Sequence, residues 1–278
     1  MKTLPSLITP PARLLFVALL LAAFFAKPGQ LAAATAMNIE IDYMDSTATG
    51  GHSHGPQPDE IAAVVQMFAC HGITLNVVVD QAIQHSDVMW VNPANGKFFD
   101  YSGVTNSFAY LRFHYFGHAG LAGWHYCIFG HEYAADTSQK ASGSSGLAQS
   151  PGANFVVTLG SFTSQIGTPF DRAATLAHEF GHNLGLGHGT VGNYQPNKPS
   201  IMSYFYQLSG VRSALIARGL TTTAASLFKE MDYSDGGMCV LNEAALDEPF
   251  GSGMVSVDWN CNNLIGGVVS TSIDDGRG

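Results

Sequence analysis

His178-Glu179-Phe180-Gly181-His182-Asn183-Leu184-Gly185-Leu186-Gly187-His188 carries three histidines and one carboxylate in a fixed H-E-x-x-H-x-x-G-x-x-H pattern. A methionine, Met202, follows the last histidine by fourteen residues, within Ser200-Ile201-Met202-Ser203-Tyr204. Three imidazoles can hold a zinc ion with one coordination position open. A glutamate beside them can take a proton from a water in that position, and the combination suits metal-assisted hydrolysis of a peptide bond.

The spacing sets requirements on the chain. Residues four apart on a helix share a face, so His178 and His182 can aim at one ion. Glu179 stands one step round and can reach the ion's water without being a ligand. His188 can join only if the helix stops first. Gly185 permits the stop, because glycine tolerates the left-handed conformation that ends helices, and Gly187 loosens the return path. Upstream, Pro169 and Asp171 suit a helix start. Leu176, Phe180 and Leu184 repeat every four residues as a buried stripe.

Two other histidine groups offer less. His114 and His118 share the i, i+4 spacing, but no glutamate follows the first and no third histidine completes the set, so they are read as ordinary polar side chains. His52 and His54 fall in His52-Ser53-His54-Gly55-Pro56, read as a solvated loop with at most weak metal affinity.

The eleven-residue pattern and the methionine turn resemble the metzincin clan of zinc endopeptidases, matching at every fixed position from His178 to His188 and at Met202. Gly189, just after the third histidine, does not match the serine, aspartate, glutamate or proline of the best-known branches. The chain is therefore not assigned to matrixins, adamalysins, astacins or serralysins. The run Asn193 to Tyr204, with Asp232-Tyr233-Ser234 and Leu241-Asn242-Glu243, is similar to a group of secreted microbial metzincins.

The resemblance implies an α+β fold: a mixed twisted β-sheet with long helices in an upper subdomain (37–185), an irregular lower subdomain (186–278), and the zinc cleft between them. It implies zinc held by His178, His182 and His188, Glu179 as general base, and Met202 as a floor under the ion. Ser200-x-Met202-x-Tyr204 is similar to the turn of astacins and serralysins, which implies that Tyr204 contacts the zinc and then the tetrahedral intermediate. Ser145-Gly146-Leu147-Ala148-Gln149 stands where these enzymes pair an edge strand with the substrate backbone.

The rest of the chain is consistent with export. Lys2 and Arg13 precede an apolar run, Leu14 to Ala26, too short to span a bilayer comfortably. Ala34-Thr35-Ala36 offers a small-residue cleavage site, so residues 1–36 read as a secretory signal peptide and 37–278 as the mature domain. The alternative is an uncleaved anchor, which Lys27-Pro28-Gly29 disfavours by interrupting the apolar stretch. Cleavage leaves nine basic and 21 acidic residues, a net charge of −12. That balance argues against nucleic acid or an anionic membrane as partner. Calcium is compatible with it, but no EF-hand loop indicates one. Of four cysteines, Cys239–Cys261 and Cys70–Cys127 are the favoured disulfides among three connectivities, with four reduced thiols as the alternative.

Further elements follow from period and punctuation. Ile39, Ile41 and Tyr43 alternate with polar residues, predicting a half-buried strand. Pro58 opens a helix with Ile61, Val64, Val65 and Phe68 on one face, stopped near Gly72. Ile73 to Val79, Trp124 to Phe129 and Phe155 to Leu159 read as strands, and Ala141 to Gly152 as a loop of small residues. Phe98 to Gly123 has no clear period. The opening is thus β-α-β.

The expectation is a secreted monomeric zinc endopeptidase acting on protein or peptide substrates, without stable membrane insertion after signal removal. The early first strand, with Cys70 inside a helix, leads us to expect no long pro-segment and no cysteine-latched zinc. The alternatives are a secreted zinc-stabilised binding or adhesion module and, less well supported, a zinc hydrolase of non-peptide substrates.

Overall fold

The β-α-β opening forms because two strands flank a helix with a clean start and stop. The computed structural model describes residues 36–91, 104–134, 140–189, 193–194, 198, 200–210, 231–234, 242, 244–249, 262 and 264–271. Strand β1 (Met37–Asp45) runs into helix α1 (Pro58–Cys70) and returns as β2 (Leu75–Gln84), parallel to β1. Pro58 opens α1 at its first position, Gln57 and Glu60 form a reciprocal capping box, and Gly72 at φ 72° turns the chain away.

After β3 (Val88–Trp90) come α2 (Phe108–Tyr115), β4 (Trp124–Gly130), β5 (Glu132–Ala134), β6 (Gly146–Ala148), β7 (Asn154–Thr158) and α3 (Pro169–Asn183). The sheet order is β2-β1-β4-β7-β6. The first four strands are mutually parallel, and the short edge strand β6 pairs antiparallel with β7. A four-residue helical turn, α4 (Tyr204–Gln207), and a small ladder of β8 (Leu246–Asp247) with β9 (Val268–Val269) lie further along the chain. The architecture is a mixed α/β fold with a parallel-rich sheet.

Parallel strands are usually covered on both faces, and the side-chain alternation shows it here. Ile39, Ile41, Cys127, Phe129, Phe155 and Val157 point to the face covered by α1 and α3, where they meet Val64, Phe68, Leu176 and Phe180. Tyr126, Ile128 and Val156 point the other way, toward Phe108 and Leu111 of α2.

This covering overturns the half-buried reading of β1. Its polar residues Glu40 and Asp42 are as buried as Ile39 and Ile41, because β1 is an inner strand under two layers. Their carboxylates are compensated locally. Glu40 accepts from the Gly117 and His118 backbone amides and pairs with the His118 ring. Asp42 accepts from the Tyr126 hydroxyl at 2.6 Å and the Gln81 amide at 3.3 Å. Burial still pushes the Asp42 carboxyl up to about 6.

Two further expectations change. The stretch from Ala141 to Gly152, read as a loop from its small residues, contains β6 inside the segment 145–149 where the resemblance placed an edge strand, and the aperiodic stretch before Gly123 contains α2, whose Ser107 accepts from the Tyr110 amide as N-cap. Cys70 and Cys127 are free thiols, so the expected bridge between them is not formed. Cys127 sits at full burial in the inner strand β4, while Cys70 ends α1 exposed to solvent. Cys239 and Cys261 lie outside the described residues. Among the described residues no helix is long and apolar enough to cross a membrane.

Candidate active site

The histidine-bearing helix α3 is anchored at its start. Thr168 accepts from the Asp171 amide at 3.2 Å while Asp171 accepts from the Thr168 amide at 2.8 Å. Pro169 occupies the first turn. This is a reciprocal capping box, with Thr168 as the cap that the sequence reading passed over. Buried Arg172 then binds Glu60 of α1, with its Nε 3.0 and 2.9 Å from the two carboxylate oxygens. Arg172 Nη1 also donates to the Gly167 carbonyl at 2.8 Å. The pair locks α3 to α1, and breaking a buried pair on one side is strongly destabilising.

The helix ends where the third histidine needs it to. Gly185 adopts φ 90°. The Leu186 amide donates to Gly181 at 2.9 Å and the Gly185 amide to His182 at 2.9 Å. These two bonds are a Schellman cap, which satisfies the last carbonyls and reverses the chain. His188 comes back over the helix as a result.

The three imidazoles converge through one nitrogen each. His188 Nε2 lies 3.2 Å from His178 Nε2 and 2.9 Å from His182 Nε2. Every outward nitrogen has an acceptor: His178 Nδ1 at 2.6 Å from the Ile201 carbonyl, His182 Nδ1 at 2.7 Å from the Leu186 carbonyl, His188 Nδ1 at 2.9 Å from Asn193 Oδ1. A proton fixed on Nδ1 leaves the Nε2 lone pair facing inward, the usual outer-layer arrangement of metal-binding histidines. Burial depresses all three, His178 to about 3 and His182 to about 4, so they are neutral and ready to ligate.

The methionine turn supports this from below. The Ile201 carbonyl orients His178, and Met202 is buried beneath the helix. A Cβ on Gly181 would come within 2.5 Å of Met202 Sδ and 2.9 Å of Tyr233 Cε1, so any side chain here would have to displace both from the helix. Tyr233 also donates to the Ala177 carbonyl at 2.6 Å. The chain beyond the turn thereby packs against the helix at Ala177 and Gly181.

Glu179 is buried beside the imidazoles, and burial holds its carboxyl well above the usual range. Edge strand β6 passes directly over it. A Cβ on Gly146 would lie 2.6 Å from Glu179 Oε1 and 2.6 Å from the Val156 carbonyl. Gly146 is thus the residue that lets the carboxyl share the strand's space, a role sequence spacing alone did not show. The Tyr204 ring stands 4.3 Å from the His188 ring and 5.8 Å from that of His178, centroid to centroid. Its hydroxyl is pushed up to about 12 by burial, so it is protonated and able to donate.

A cavity of about 370 Å³ opens over these groups, lined by Ser145, by Gly146 and Leu147 of the edge strand, by Phe162, and by Tyr194 and Tyr204. The four residues singled out by spacing, His178, Glu179, His182 and His188, line it, as does Tyr204, which the resemblance singled out. His114 and His118 do not form a pair. His114 Nδ1 contacts the Tyr110 carbonyl at 2.8 Å, and His118 binds Glu40 and stacks on Trp124. The sequence reading missed Asn193 as the partner of His188; its position five residues after the third histidine was the available signal.

The chain matches the family model described as metallo-peptidase family M12B, reprolysin-like, over residues 61–189. That is fewer than half of its 278 residues, and the match ends at Gly189. No curated protein matches the chain. Among solved structures it is similar to archaemetzincin from Methanopyrus kandleri at 12% identity and a TM-score of 0.37, covering 73% of this chain and 90% of that one. It is also similar to a zinc-dependent peptidase from Methanocorpusculum labreanum at 13% and 0.32, covering 71% and 96%. Archaemetzincin from Archaeoglobus fulgidus, complexed with malonate, matches at 11% and 0.30, covering 73% and 96%.

The family match spans the histidine helix, and the donors found there are three neutral imidazoles with inward lone pairs. Imidazole donors suit zinc. The chain is a zinc metallopeptidase.

Proposed function

We propose that the chain is a secreted zinc endopeptidase, cleaving internal peptide bonds of an extended polypeptide laid along β6. The observation that carries this reading is the position of Glu179: a buried carboxylate between three converging imidazoles and an open strand edge. Zinc held by His178, His182 and His188 would supply Lewis acidity, lowering the pKa of water and polarising the scissile carbonyl.

The remaining work falls to the chain's own groups. Glu179 accepts a proton from the attacking water and delivers it to the departing amide nitrogen. Burial disfavours the ionised carboxylate, and a divalent ion held by the three histidines would favour it. Tyr204 donates its hydroxyl proton in a hydrogen bond to the oxygen that gains negative charge. The β6 edge offers backbone groups to an extended substrate, fixing the scissile bond over Glu179. Met202 supports the histidines and takes no part in proton transfer.

Export follows in this reading from residues 1–36 as a cleaved signal, with residues 37–185 as the upper side of the cleft and 186–278 as the lower. The chain would act as a monomer outside the cytoplasm, and Gly189 leaves its metzincin branch unassigned.

The test is digestion of unfolded casein by the purified protein, with products mapped by mass spectrometry. Internal cleavages support the endopeptidase. Stepwise loss of terminal residues, or no cleavage by zinc-loaded protein, contradicts it. N-terminal sequencing of protein recovered from medium should begin near Met37, and an uncleaved start at Met1 would contradict the signal.

A further inference from the structure

We propose a second metal site, formed by His52, His54, His85 and His131, that holds a structural zinc ion at the carboxyl end of the sheet. None of the four lines the catalytic cavity, and the site stands independently of the proposed reaction.

The four come from separate places in the sequence but one place in the fold. His85 follows β2 directly and His131 follows β4 directly. His52 and His54 come from the loop after β1, where Ser53 bridges back to Asp45. That bridge keeps the loop extended, and residues two apart in extended chain point to the same side. Since β2, β1 and β4 are adjacent and parallel, their ends deliver all four rings to one point.

The contacts there cannot all be hydrogen bonds. His54 Nε2 lies 3.0 Å from His52 Nε2, 3.2 Å from His85 Nε2 and 3.3 Å from His131 Nδ1. A neutral imidazole nitrogen has either one proton or one lone pair, so it can satisfy one such neighbour and not three. His52 Nε2 is also 3.2 Å from His131 Nδ1. Four inward lone pairs at this spacing repel one another unless a cation lies between them.

The distances fit such a cation. Zinc–nitrogen bonds of about 2.0–2.1 Å in a tetrahedron place the nitrogens about 3.3–3.4 Å apart. The observed separations, 3.0 to 3.3 Å, lie at or just inside that edge. Only nitrogen converges, so calcium and magnesium, which take oxygen ligands, are excluded. Four protein ligands leave no open position, which marks a structural ion.

The surroundings are shaped to the rings. A Cβ on Gly160 would meet His131 at 2.5 Å from Cδ2 and 2.7 Å from Nε2, so the absence of a side chain there gives the ring its place. Asp87 faces the outer nitrogen of His85 at 3.7 Å.

The test is metal stoichiometry on the full chain after zinc loading and dialysis, measured by plasma mass spectrometry. Two zinc ions per chain are expected for the native protein, and a single ion would overturn the site. His188→Ala, which leaves the four-histidine cluster untouched, should retain one zinc whose X-ray absorption shows four nitrogens and no oxygen. A folded His188→Ala protein without zinc, or with oxygen in the shell, refutes the proposal. His85→Ala should fall from two ions to one while keeping at least half of the native proteolysis. Retention of both ions would exclude His85 as a ligand and contradict the four-histidine arrangement.

Discussion

The two histidine clusters differ in number, access and company. The catalytic group has three imidazoles, an open cavity of about 370 Å³ and a buried carboxylate beside it. The other has four imidazoles in mutual contact at the sheet's carboxyl end. The same side chain serves both, so imidazole alone does not make a site catalytic. A vacant position and a base within reach make it so; closure by a fourth ligand makes a staple. The two also differ in construction. One is mounted on a helix whose cap bends the chain back, and the other on the ends of three strands the sheet holds in register.

Substitutions can break this contrast or sharpen it. The largest effect is expected for Glu179→Gln, which should retain both zinc ions while lowering kcat roughly 10³-fold, within the usual range for a lost general base. Zinc content and casein hydrolysis measured on the same sample check it. Next come the two glycines. Gly146→Ala drives a methyl group into Glu179 and should reduce kcat by roughly 10²-fold, because small misplacements at a reacting centre are costly. It should spare the metal count. Gly160→Ala should do the reverse, displacing His131, releasing one zinc and leaving peptidase activity within about twofold, because that ion is structural and takes no part in the reaction. Thermal unfolding should then fall by about 2–4 °C for each kcal/mol lost. The smallest effect is expected for Tyr204→Phe. It should lower kcat by roughly 10–10²-fold with KM unchanged, the pattern of a hydrogen bond made only in the transition state.

What the sequence disclosed follows the same divide between local and distant. His178, Glu179, His182 and His188 lie within eleven residues, and one helix and one glycine turn suffice to bring them together, so their spacing was readable. Met202 and Tyr204 were readable only through the resemblance of Ser200-Ile201-Met202-Ser203-Tyr204 to the methionine turn of known metzincins. The β-α-β opening was equally plain from Pro58, Gly72 and the flanking apolar runs.

Other features depended on neighbours that no local pattern contains. Alternation suggested that Glu40 and Asp42 face water, yet the second layer over β1 buries them, and donors from Gly117, His118, Tyr126 and Gln81 are what make this tolerable. The pairing of Cys70 with Cys127 rested on closeness in sequence, whereas the fold puts one thiol at the surface and the other in the core. His52 and His54 read as a solvated loop because their partners stand at 85 and 131, and only the parallel register of β2, β1 and β4 brings them near. Gly146 was placed on an edge strand by resemblance alone, and nothing in its own segment reveals the carboxylate behind it.

The most direct test of the central claim is reconstitution. A chelator strong enough to empty the three-histidine site should abolish casein hydrolysis while circular dichroism stays native, and one equivalent of zinc should restore it. Hydrolysis that persists in the stripped protein, or fails to return with zinc to a folded sample, would contradict the assignment of His178, His182 and His188 as the centre of the reaction.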